Sequence, residues 1–260
     1  MPALTTAERV AANRRRATWM AVVFAVVVAV VVGVVGWLVG LELLALVPAV
    51  VLAVLLVWSA NAACERVALK SIGAAPSPPD RDLRLHNLVE GLCVAAGLPK
   101  PRLHVVDDAA LNACAVGRGP RTASVVVTRG LLESMDRIEL EAVLAHELAR
   151  VRDHDTLPAT LAVVMVGFPA LAGPIGRPFR PLVRAGMRRC LGPGRTFEAD
   201  VAAVDLTRYP PGLIAALQRI QETGSAVGSA SEATAPLWIA PALGGGEPAL
   251  ELRIAALREL

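Results

Sequence analysis

The 260 residues are 55% hydrophobic but only 3% aromatic, and their formal net charge is +3. That balance is too apolar for an ordinary water-soluble domain unless part of the chain lies in lipid, so a bilayer is the first expected partner. The charge is too small, and too little interleaved with stacking aromatics, for nucleic acid to be a partner; the four cysteines form neither a CxxC pair nor a secreted-domain framework, which fits a reducing compartment.

Residues 1–18 are polar and contain Arg9, Arg14, Arg15 and Arg16, which reads as a basic cytoplasmic N-terminus. Trp19 to Val39 and Leu43 to Ala60 are uncharged runs of the length a bilayer demands, separated only by Gly40, Leu41 and Glu42, so 19–60 is expected to be a transmembrane helical hairpin. Both runs are too long for the apolar core of a signal peptide. Arginines precede the hairpin, Arg66 and Lys70 follow it, and its turn has no basic residue; the positive-inside rule then places both flanks, and the globular part, in the cytoplasm of a multi-pass protein of the cell membrane. Residues 61–80, with Gly73, Pro76, Pro78 and Pro79, read as a linker, and 81–260 as the globular domain.

Within that domain Arg84 to Ala96 has helical periodicity and is closed by Gly97 and Pro99. Leu103 to Val106, Ala113 to Val116 and Ala123 to Thr128 read as short strands. Asp136 to Asp155 follows as an amphipathic helix, with Asp136 and Glu139 in capping-box spacing and His146 and Glu147 on the face read as polar. Leu157 to Ile175 is apolar again and is followed by Arg177, Arg180, Arg184, Arg188 and Arg189. A single crossing there would violate the charge rule, so 157–175 is expected to be interfacial or re-entrant, with a buried segment as the alternative. Arg195 to Asp205, Pro211 to Glu222 and Ala249 to Leu260 are further helices, the last with Leu250, Ile254 and Leu257 on one stripe. The expected fold class is α+β: a mostly helical, zincin-like domain with a small sheet, one edge strand of which would hold an extended peptide.

His146 and Glu147 form the first half of His-Glu-x-x-His, in which two histidines one turn apart bind zinc and the glutamate acts as general base; Arg150 stands where the second histidine belongs. The hairpin, the stretch from Arg84 to Leu92 with Gly97-Leu-Pro-Lys-Pro-Arg, the segment Asn112-Ala-Cys-Ala-Val-Gly117, the central helix, Arg195 to Arg208 and the terminal Glu251-Leu-Arg-Ile-Ala-Ala-Leu together resemble the HtpX-like membrane zinc metallopeptidases, relatives of the CAAX prenyl proteases. The resemblance implies His146 as first metal ligand, Glu147 as general base, and Asp155 and Asp200 as supporting aspartates, with Arg150 in place of the second histidine and Thr196 in place of a glutamate ligand. Two of three ligands are then absent.

A closed four-ligand zinc site is worth roughly 10–16 kcal/mol, so one imidazole would hold zinc only at about millimolar concentration, and a guanidinium beside it repels a dication. Zinc is the family's cofactor, but tight binding is not expected here. Arg150 is expected to pair instead with Glu147 or Asp200. The leading expectation is a pseudopeptidase that binds peptides or membrane-protein segments. The alternatives are an active zinc metalloendopeptidase with a non-standard ligand set, and a purely structural membrane protein.

Overall fold

A computed structural model describes residues 5–38, 40, 46–165, 180–191, 194–243 and 249–260. Two helices lead. Helix α1 (Thr6–Leu38) has 33 residues and is about 50 Å long at 1.5 Å per residue; α2 (Leu46–Ser71) packs beside it. Both are long and apolar enough to cross a membrane, and only 6% and 22% of their most apolar windows are buried, so neither is a core helix of the domain. Valines such as Val22, Val26 and Val30, and Trp19, Trp37 and Trp58, point outward.

Both helices outrun the apolar stretches that mark them. Residues 6–18, expected as a basic tail, are the first turns of α1. Thr5 and Glu8 form its capping box, with Thr5 N donating to Glu8 Oε2 (2.8 Å) and Glu8 N donating to Thr5 Oγ1 (3.3 Å), and alanine, glutamate and arginine carry the helix onward. The linker expected at 61–80 is helical as far as Ser71. Charged Glu65, Arg66 and Lys70 end the apolar run without breaking the helix, and Cys64, Ala68 and Ile72 keep a buried stripe at four-residue spacing. The chain turns only at Gly73, whose φ of 69° suits glycine.

The sheet has four strands: β1 (Ala75–Pro76), β2 (Arg102–Val106), β3 (Ala113–Val116) and β4 (Ser124–Thr128), in the order β1-β2-β4-β3. β2 and β4 are parallel, with Leu103 opposite Val125; β3 and β4 are antiparallel, with Ala113 opposite Val127. Every residue of β3 and β4 is buried because both faces are covered. Leu103, Val105, Ala113, Ala115, Val125 and Val127 face one apolar cluster with α3 (Leu83–Ala96) and α5 (Arg137–Arg152). The alternate residues Val106, Cys114, Val116 and Val126 face a second, built from Ala17 and Met20 of α1, Cys64, Ala68 and Ile72 of α2, and α6 (Thr156–Met165). The period of two along each strand thus ties the domain to the inner end of the hairpin. Glu65 of α2 reinforces this, accepting from Arg102 of β2 and from Ser124 Oγ of β4 (2.7 Å).

Thr156–Met165, the described half of the second apolar stretch, is a helix buried against α1 and α2. Residues 157–165 thus cover their apolar surface against the two helices expected to cross the membrane; residues 166–175, the rest of the segment expected to be interfacial or re-entrant, lie outside those described. The remaining helices are α4 (Arg129–Ser134), α7 (Arg180–Leu191), α8 (Arg195–Thr207), α9 (Pro210–Thr223) and α10 (Leu250–Leu257). The architecture is mostly helical with a small mixed sheet, the α+β class expected.

Candidate active site

Helix α5 holds the centre. Its capping box forms as the spacing implied: Asp136 Oδ1 accepts from Glu139 N (2.8 Å) and Glu139 Oε2 accepts from Asp136 N (2.9 Å). Glu139 Oε1 also accepts from Arg219 of α9 (2.8 Å), so one carboxylate both caps α5 and docks its neighbour. The expectation of an amphipathic helix is corrected. α5 is covered by α3, α8, α9 and β3, and residues 142–151 are all buried. His146 and Glu147, expected on a polar face, are 1% and 0% exposed. Polar groups buried this deeply must find partners, and each of them has one.

His146 Nδ1 lies 2.8 Å from Asp200 Oδ1 on α8. The carboxylate orients the ring through Nδ1, the arrangement in which a metal-binding histidine presents Nε2. Asp200 is clamped from the other side by Arg253 of α10, whose Nε and Nη2 donate to its two oxygens at 2.7 Å each. This bidentate pair is closed to solvent, at 1% and 2% side-chain exposure. Burial alone would raise the Asp200 pKa, but Arg253 and His146 outweigh it and hold the carboxyl below its ordinary value. No motif in the sequence gives Arg253 a role. The available signal was an arginine between Leu250 and Ile254 on the buried stripe of α10, which demands a buried counter-ion.

Arg150, one turn after His146, points into the same buried region. Its Nη1 donates to Glu147 Oε2 (2.9 Å) and to the carbonyl of Leu237 (2.7 Å), and its Nε donates to Asp155 Oδ2 (3.0 Å). The pairing expected with Glu147 is present; the alternative with Asp200 is not, because Arg253 already occupies that carboxylate. Burial works against the charge of Arg150, but Glu147 and Asp155 more than compensate and raise its pKa above the ordinary arginine value. Asp155 is held below its ordinary value in turn, burial being outweighed by Arg195 and Arg150.

On α8, Asp200 is buried, Thr196 half-buried and Glu198 exposed, as a turn of about 200° over two residues requires. His154 leaves α5 in a left-handed turn (φ 57°) with its ring against Gly119, and the structure does not bring it to His146. Among the described residues no group of three or more His, Cys, Asp or Glu side chains is arranged to hold a metal ion. Cys114, the thiol nearest on β3, is fully buried, and burial raises its pKa well above the ordinary thiol value.

The sheet edge expected to hold an extended peptide is partly occupied by the chain itself. Ile239 N donates to the carbonyl of Ala113 (2.8 Å), and Trp238 makes an antiparallel bridge to Cys114. Asn112 fixes the next residue from both sides, its Oδ1 accepting from Ala240 N (3.2 Å) and its Nδ2 donating to Ala240 O (3.1 Å). Three arginines hold the carbonyls of this segment: Arg195 that of Pro236, Arg150 that of Leu237 and Arg253 that of Ile239. No periodicity marks Ala235 to Ala240 as a strand, so it escaped the sequence reading.

The sequence that builds this frame, a small sheet above a buried helix whose histidine is oriented by an aspartate on a later helix, is similar to that of known proteins. Residues 79–260 fit the model described as peptidase family M48. The chain belongs to that family. As an HtpX-like member of M48, it is 32% identical to the Protease HtpX homolog of Dictyoglomus thermophilum over 99% of this chain and 96% of that protein. It is 32% identical to the one from Thermoanaerobacter pseudethanolicus over 81% of this chain and 84% of that protein. The Listeria monocytogenes protein of the same name is 29% identical over 68% and 73% of the two chains. In this M48 chain the two halves of the centre differ: His146 with Asp200 is organised as a metal ligand would be, and Glu147 is engaged by a cation.

Proposed function

We propose that this HtpX-like chain is a pseudopeptidase, anchored by α1 and α2 with its domain in the cytoplasm, in which the Arg150 guanidinium stands where M48 chemistry needs metal. One observation carries the reading: Arg150 is 3% exposed and donates at once to Glu147, Asp155 and the Leu237 carbonyl. The family is zinc-dependent in general. Here the donor set does not fit zinc. It offers one imidazole, a half-buried threonine at 196 and a guanidinium that cannot deprotonate. Glu147, the family's general base, has Oε2 tied to that guanidinium, while its buried Oε1 has no hydrogen-bond partner among the described residues.

The retained function is capture of extended peptide or membrane-protein segments along β3. Because Trp238 and Ile239 lie on the first half of that edge and Ala115 and Val116 are themselves fully buried, a peptide pairing there must displace what covers β3, Trp238 and Ile239 first. A fluorogenic unfolded protein incubated with the purified full-length chain tests the loss of catalysis. The expected result is no cleavage above buffer, with or without added zinc; chelator-sensitive cleavage that disappears in Glu147→Gln would overturn it.

A further inference from the structure

Beside the Arg150 network lies a pocket that peptide capture does not use. It forms where the first turns of α1, the end of α5 and the first turn of α8 meet. Arg9, Asn13 and Arg16 line it from α1, Arg150, Asp153 and Asp155 from α5 and the turn after it, and Arg195 and Glu198 from α8. Its buried carboxylates are already engaged: Asp153 accepts from Arg9 (2.7 Å) and Arg152 (2.9 Å), and Asp155 from Arg150 (3.0 Å).

Its cations are not exhausted. Arg150 Nη2, on a side chain 3% exposed, has no hydrogen-bond partner among the described residues, and neither has Arg195 Nη1, which stands 3.5 Å from Asp155 Oδ2. Arg16 Nη1 meets only neutral oxygens among those residues, at 3.3 Å on Asn13 and 3.4 Å on Leu191. Burial lowers the pKa of Arg195, and Arg150 and Arg16 push it further down, while Asp155 and Glu147 oppose this. The N-terminus of the 13-residue α8 adds to the positive charge. Gly194 provides no side-chain cap, and Arg195, the first residue of α8, lines the pocket together with Glu198 and Ala199, which puts the positive end of the helix dipole beside it.

We propose that this pocket binds a phosphate-class oxyanion, held by Arg16, Arg150 and Arg195 and by the first turn of α8. Arg16 is three residues before Trp19, where the uncharged run of α1 begins, about 4–5 Å along the helix, which is headgroup depth. The phosphate of an anionic lipid and free inorganic phosphate therefore share the chemistry the site recognises. Glu198, exposed at the rim, opposes entry of an anion. The proposal stands on the pocket's own charges and does not depend on whether the chain is a peptidase.

Calorimetric titration of the full-length protein in dodecyl maltoside, stripped of lipid, tests it with inorganic phosphate. The expected result is saturable binding at one per chain, weakened about tenfold or more by Arg16→Gln and by Arg195→Met, and tightened by Glu198→Gln. Repeating the titration with solubilised phosphatidylglycerol identifies the source: competition against phosphate assigns the site to a headgroup, and unchanged phosphate binding assigns it to free phosphate. Should Arg195→Met fail to fold, the opposite signs of the two rim variants still decide. Absence of saturable binding of either probe, or equal affinity in wild type, Arg16→Gln and Glu198→Gln, would overturn the proposal.

Discussion

Removing Arg253 tests the buried clamp that positions His146. Arg253→Met keeps the length and apolar stem of the side chain but deletes both hydrogen bonds to Asp200 and the one to the Ile239 carbonyl. Asp200, 2% exposed, then keeps only His146 as a described partner. Leaving one member of a buried ion pair uncompensated costs about 3–5 kcal/mol, and at roughly 2–4 °C per kcal/mol for a domain of this size the melting temperature should fall by about 6–20 °C. Thermal unfolding followed by circular dichroism in a mild detergent reads this directly. The sign with pH follows from the depressed Asp200 carboxyl. Its stabilisation is fully present above the unfolded value near pH 4 and is lost as pH falls through the lower folded value. Without Arg253 the folded value rises, so the acid loss begins at higher pH in the variant than in wild type. Adding Asp200→Leu should recover much of the melting temperature, because the pair as a whole contributes far less than the cost of breaking it. A single variant that melts within about 2 °C of wild type, with the same acid profile, would refute the argument.

Three further outcomes are expected. Arg150→His with Thr196→Glu should create a zinc site that neither change creates alone, since ligands act as a unit and the Asp200 partner of His146 is already in place; a double variant that binds zinc no better than wild type in calorimetry would show that α5 and α8 do not present these positions to one another. Gly130→Ala should destabilise by roughly 1–3 kcal/mol or more, because a Cβ there would fall 2.0 Å from the Ala109 carbonyl oxygen, a backbone atom that cannot swing aside; an unchanged melting temperature would contradict this. Topology reporters fused after Lys70 and after Leu260 should both report from the cytoplasm, and a C-terminal fusion reporting from outside would reverse the orientation proposed for the domain.

What could be read from the sequence was what local pattern controls. Strands β2, β3 and β4, α3 with its left-handed Gly97 cap, and the capped α5 follow from periodicity and end signals within a few residues of each element, whereas β1 lies in the stretch read as a linker. Helix ends at the membrane did not follow, because hydropathy marks where lipid stops and the backbone continues through Glu65 and Lys70 on helix propensity. In the site, His146, Glu147 and Arg150 are legible because the spacing of a motif marks them, and Asp200 because of the family resemblance of 195–208. Arg253 and Ala235 to Ala240 were not assigned roles: they reach the centre only through tertiary packing, and the segment's carbonyls are held by arginines distant in sequence. The choice of Asp155 over Asp200 as a partner of Arg150 has the same origin, since it depends on Arg253 having taken Asp200.

The metal content of the full-length protein tests the central claim most directly. After expression in zinc-supplemented medium and purification in detergent without chelator, elemental analysis should find zinc far below one atom per chain, and Arg150→Met should not raise it, because one oriented imidazole remains the only matching ligand. One tightly held zinc per wild-type chain, removed by chelator and restored on adding the metal back, would contradict an arginine-filled centre.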